Sequence, residues 1–166
     1  MARRKSAAGA MALGGVLAAL AIVIMCLGGM IPVATYVCPM LCMLLLAVVD
    51  RSCGSRVAWA WYGAVSILAL LMGPDKEAAA VFVFLGYYPI LKPRMDRMKF
   101  RWLWKLGLFN GAILSMYWLL MHLFGMNQLG EEFREMGRIL TVVMLLAGNL
   151  IFFLIDRILQ RFSRRK

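Results

Sequence analysis

The nineteen Lys and Arg residues of this 166-residue chain fall almost entirely on one side of six apolar segments. The segments run over roughly 8–27, 33–49, 57–72, 78–91, 103–124 and 139–155, and the stretches that join them alternate between rich and poor in base. The basic set is Arg3, Arg4 and Lys5; Arg51 and Arg56; Lys92, Arg94, Arg97, Lys99, Arg101 and Lys105; and Arg157, Arg161, Arg164, Arg165 and Lys166. Only Lys76, Arg134 and Arg138 are left for the other side. Short loops rich in Lys and Arg stay cytoplasmic. The pattern therefore predicts an all-α, polytopic membrane bundle, a single domain over 1–166 with six transmembrane helices and both termini inside. The acids lean the opposite way, with Asp75, Glu77, Glu131, Glu132 and Glu135 outside against Asp50, Asp96 and Asp156 inside.

Composition supports a lipid solvent. A chain that is 63% hydrophobic, with mean hydropathy +0.80, has too little polar surface to dissolve as a globular domain of this length. Its net charge of +11 would suggest nucleic acid in a soluble protein. Here the cations sit beside membrane ends, where anionic lipid headgroups meet them, so no nucleic-acid partner is expected. Arg3, Arg4 and Lys5 precede an apolar run, as in a secretory signal, but the run continues to Leu27, beyond the length of a signal's apolar core. It reads as a retained helix. About 20 residues at 1.5 Å each cover a hydrocarbon core of about 30 Å. The fourth segment is short and ends in Gly86-Tyr87-Tyr88-Pro89 before Ile90 and Leu91, which predicts that it spans a thin region, tilts little, or breaks near Pro89.

The first helix carries small residues at four-residue spacing: Ala8 and Ala12; Ala10, Gly14 and Ala18; Gly15 and Ala19. Inside lipid, helices associate by packing, and such ladders let backbones approach closely. The ladder marks a docking face, either for helices of the same bundle or for a separate subunit. With six short helices, this ladder resembles the substrate-binding S component of an energy-coupling factor (ECF) transporter. In that family an A-x-x-x-A motif on the first helix meets a transmembrane scaffold subunit driven by two cytoplasmic ATPases. The matching residues here are Ala8 and Ala12, with Gly14, Gly15, Ala18 and Ala19 as an extension. The resemblance implies a bacterial cytoplasmic membrane, uptake of a vitamin-like small molecule, and a substrate site in the outer half of the bundle.

Polar groups inside a membrane are costly and often functional. Gly111, Ser115, Trp118 and His122 recur on one helical face that rises toward the outside, where Trp118 offers a flat surface and His122 a hydrogen-bonding ring. The alternative is an interfacial aromatic belt with a hydrated histidine. Asn149 lies near mid-depth of the sixth segment and needs a partner, either a ligand or a neighbouring helix. Gly73-Pro74-Asp75-Lys76-Glu77 reads as a turn and an acidic helix start. Asn127 to Arg138 reads as a solvated loop or an amphipathic lid, with Asn127 and Arg138 as ligand-facing candidates. The substrate-binding set is thus Trp118, His122, Asn127, Arg138 and Asn149.

Chemistry is not expected of this chain. It has no G-x-S-x-G, no H-E-x-x-H and no phosphate loop, and Asp50 and Asp156 read as solvated caps at cytoplasmic ends. Cys26, Cys38, Cys42 and Cys53 are too dispersed for a zinc site, and the methionines near Cys38 and Cys42 read as flexible core filler before they read as copper ligands, so neither metal nor cofactor is expected. A non-transporting scaffold of a cell-envelope complex, such as the similarly sized six-helix MreD subunit of the cell-wall elongation machinery, is the competing reading. A concave outer pocket holding His122 or Asn149 favours uptake; a filled bundle with an exposed apolar groove favours the scaffold.

Overall fold

A computed structural model describes residues 7–28, 34–97, 99–123, 142–143 and 146–161, and among them the chain is helical with short links and no strand. It divides into two compact units, Met1–Asp96 and Arg97–Lys166.

The first unit is built from α1 (Ala7–Gly28), α2 (Ala34–Cys53), α3 (Ser55–Met72), α4 (Lys76–Leu85) and α5 (Tyr88–Met95). Each of the first three contains a stretch long and apolar enough to cross a membrane: Ala8–Gly28, Thr35–Cys53 and Ser55–Met72. The chain is a membrane protein. α2 packs against the other four helices of the unit. Its Cys42, Leu46 and Val49 meet Ala21 and Met25 of α1, Trp61 and Val65 of α3, and Phe82 of α4 in one core. α1 turns Met11, Val16, Val23 and Leu27 outward, a surface suited to lipid contact.

The links between helices follow from particular residues. Gly54 alone joins α2 to α3 at φ +88°, a backbone conformation that glycine adopts without strain. Arg51 and Arg56, expected in a loop, are therefore helical. Asp75 caps α4 by accepting from the Ala78 N–H at 3.0 Å, and Lys76 Nζ donates to the carbonyls of Leu70 and Gly73. The turn and acidic helix start read from the sequence are present. Thr35 Oγ1 donates to Asp75 Oδ2 at 2.7 Å and the Tyr36 hydroxyl to Glu77 Oε1 at 2.9 Å, which ties the start of α2 to the start of α4.

The fourth apolar segment is not one helix. It breaks at Gly86-Tyr87, ahead of Pro89, which sits in the first turn of α5 where a proline costs no helical hydrogen bond. A Cβ at Gly86 would run into the Phe82 carbonyl oxygen, so the turn needs glycine. The Tyr87 ring stacks on Trp59 and meets Tyr62 edge-on, while the Tyr62 hydroxyl donates to the Val83 carbonyl. These rings hold the break against α3.

The second unit contains α6 (Arg101–Leu123) and α7 (146–161). Their facing residues pair in reverse order, Trp102 with Phe153, Phe109 with Phe152 and Asn110 with Asn149, so the two helices run antiparallel. α7 continues past residue 155, so Asp156 and Arg157 are helical.

Candidate functional site

The small-residue ladder of α1 separates into two faces. Gly14 is buried with Ala21 and Met25, and Ala18 packs partly buried against the same core. Along this face the backbone carbonyls are used by neighbouring helices. Cys53 Sγ donates to the Ala10 carbonyl at 3.1 Å, Trp61 Nε1 to Gly14 at 3.0 Å, and Cys42 Sγ to Ala21 at 3.6 Å. Small side chains leave these oxygens reachable, and a donor that satisfies one gains a bond that lipid cannot supply. Ala8, Ala12, Gly15 and Ala19 lie on a second face and are exposed. The ladder therefore serves the bundle through Ala10, Gly14 and Ala18 and leaves the A-x-x-x-A pair, Ala8 and Ala12, on the surface.

The substrate candidates are distributed differently. Trp118 and His122 come together on the exposed face of α6, their rings stacked at 4.8 Å and 18°. His122 Nδ1 lies 3.0 Å from the Trp118 carbonyl oxygen. A carbonyl only accepts, so this contact requires a proton on Nδ1, and in that tautomer Nε2 is the ring's acceptor. Gly111 and Ser115 share that exposed face, while Phe109, Ala112 and Met116 form the buried one. Asn149 is paired with Asn110. The two amides exchange hydrogen bonds at 3.2 and 3.3 Å, so the partner that Asn149 needs is a neighbouring helix. Asn127 and Arg138 lie outside the described residues.

One polar cluster was missed by sequence reasoning. Lys105 Nζ donates to both carboxylate oxygens of Asp156 at 3.0 Å, and both residues are about 95% buried. Gln160 Nε2, one turn on, donates to Asp156 Oδ2 at 2.9 Å. Asp156 is thus not a solvated cap, because α7 carries it against α6, where Lys105 neutralises it. A signal was available: Asp156 and Gln160 stand four apart, one face of a helix, and Lys105 begins an apolar run. Beside the pair, a cavity of about 160 Å³ is lined by Arg101, Trp102, Phe153 and Arg157 as well as the pair and Gln160. Among the described residues, no three His, Cys, Asp or Glu side chains gather as metal ligands.

Comparison with protein-family models, with curated proteins and with solved structures returned no match.

Proposed function

We propose that this chain is the substrate-binding subunit of an ECF-type uptake system, crossing the membrane six times with both termini cytoplasmic and docking through α1 onto a separate transmembrane scaffold. The exposed face of Ala8, Ala12, Gly15 and Ala19 carries this reading. A helix whose other small-residue face already serves its own bundle has no internal need for a second one, and a flat apolar stripe in lipid is suited to close approach by another helix. Energy comes from partner ATPases, and the chain supplies binding, with no catalysis of its own. Trp118 and His122 are the first residues to examine for a vitamin-like small molecule, since an exposed ring face and, in the Nδ1-protonated tautomer, Nε2 supply stacking and one acceptor. Asn127 and Arg138 complete the candidate set.

The test is affinity purification of tagged protein from its native membrane. Two ATPases and one membrane scaffold should co-purify with the wild type and be lost with Ala12→Trp, while the variant keeps its elution profile and melting temperature. Undiminished recovery of partners with Ala12→Trp would sink the docking reading. A scaffold role in a cell-envelope complex is the second reading, favoured by the Asn149–Asn110 pair, which removes one amide from the ligand-binding candidates. Recovery of cell-envelope proteins in place of ATPases would select it.

A further inference from the structure

The cavity between the ends of α6 and α7 brings together three cations, Arg101, Lys105 and Arg157, against one carboxylate, Asp156. Lys105 and Asp156 neutralise each other at 3.0 Å. The guanidinium groups of Arg101 and Arg157 make no ion pair among the described residues. The cavity therefore has an excess of positive charge on two side chains built to hold phosphate oxygens in bidentate fashion. Arg157 is placed as well as charged, since its guanidinium lies 4.7 Å from the centre of the Phe153 ring, which in turn stacks on Trp102 at 5.2 Å. At about 160 Å³ the space is many times the roughly 10–15 Å³ that one water needs.

We propose that this cavity binds the phosphodiester headgroup of an anionic phospholipid, held by Arg101 and Arg157 over the Trp102–Phe153 stack. The surroundings select a lipid over a soluble phosphate. Phe100, Trp102, Leu103 and Trp104 are all at least half exposed at this end of α6, an aromatic and apolar rim suited to glycerol and acyl chains. The buried ion pair forms a fixed floor: it keeps Lys105 from competing for the phosphate and keeps Asp156 from repelling it. Assignment to the cytoplasmic leaflet rests on the six-span topology; the site itself does not.

The full chain in neutral detergent is titrated with dioctanoyl phosphatidylglycerol, dioctanoyl phosphatidylcholine and inorganic phosphate, with binding followed by thermophoresis. Phosphatidylglycerol should bind at least tenfold more tightly than the other two. Each arginine near a lipid surface contributes about fivefold, so R101Q/R157Q should weaken phosphatidylglycerol roughly thirtyfold. R157K, which keeps the charge and loses the planar fork, should weaken binding measurably but less than R157Q does, and R56Q/R97Q, which removes two exposed charges that do not line the cavity, should leave it within about threefold. Equal binding of the two lipids, or an equal loss in R56Q/R97Q, would overturn the proposal by reducing it to general surface charge. Phosphate binding as tightly as phosphatidylglycerol would overturn the lipid assignment. Micelles have no leaflets, so an inverted topology, detected by cysteine labelling of the loops in intact cells, leaves this result unaffected.

Discussion

The two units hold their helices together by different chemistry. In the first, α1 lies against α2 and α3 through small residues, and Cys42, Cys53 and Trp61 each donate to a backbone carbonyl that already accepts within its own helix. In the second, α6 and α7 are joined by side chains that need one another: Lys105 with Asp156, and Asn110 with Asn149. A carbonyl that loses a side-chain donor keeps its helical hydrogen bond, so the first interface degrades gradually. A buried ammonium that loses its carboxylate loses its counter-charge. The first mode tolerates loss of a donor and is intolerant of added volume. The second is the reverse.

The largest expected effect follows from that asymmetry. Lys105→Met takes the counter-charge from the Asp156 carboxylate, which keeps the Gln160 amide, and Asp156→Leu takes it from the buried Lys105 ammonium; each should destabilise by up to about 3–5 kcal/mol, the range for breaking one side of a buried pair. Lys105→Met with Asp156→Leu leaves no charge behind and should regain most of the loss. Unfolding in mixed micelles by added dodecyl sulfate measures all three. If the double variant is as unstable as the singles, the pair is a packing element and the contrast between the units fails. Within the first unit the corresponding test adds volume. Ala21 is fully buried beneath Cys42, so Ala21→Leu should cost about 1–3 kcal/mol by overpacking, whereas Ala19→Leu on the exposed face should be close to neutral.

Much of the first unit was legible because α1, α2 and α3 are long apolar runs. The ladder was legible as small residues at four-residue spacing, but Gly14 and Gly15 look alike in a sequence. Which of them faces inward is decided by where the Trp61 indole points, a fact carried by another helix. Charge was the less faithful guide. Lys105 and Asp156 were read as markers of water, yet both are buried because each supplies what the other needs, whereas Arg51 and Arg56, read as part of a loop, are exposed as expected but helical. Lys105 and Asp156 stand 51 residues apart, and Asn110 and Asn149 stand 39 apart. Reading the sequence along one helix at a time showed that Asn149 needs a partner and could not show which one. The candidate site was legible only where its parts share a helix, as Trp118 and His122 do.

The amide pair offers a smaller test. Asn149→Ala and Asn110→Ala should each cost about 0.6 kcal/mol, and no more than about 1.7, the range for interhelical polar contacts in membranes. A double-mutant cycle should show coupling of the same size, since each amide is the other's partner. Additive losses in dodecyl sulfate unfolding would mean that both amides find other partners, and Asn149 would return to the ligand-binding candidates.

The smallest effect separates space from backbone propensity on α1. Neither Gly14 nor Gly15 has a heavy atom within 4 Å of where a Cβ would stand, although Gly14 is buried and Gly15 exposed. The Trp61 indole reaches the Gly14 carbonyl without filling the space in front of its Cα. A methyl fits at either position, and alanine is the better helix former by up to about 1 kcal/mol. Gly14→Ala and Gly15→Ala should therefore both be neutral or slightly stabilising in the isolated chain. Their difference should appear only with a partner. Gly15→Ala narrows the approach on the exposed face and should weaken co-purification, whereas Gly14→Ala should not. A loss of stability in Gly14→Ala would show that α1 sits closer to α3 than the Trp61 bond requires, and the intolerance of added volume assigned to the first interface would then extend to a single methyl at Gly14.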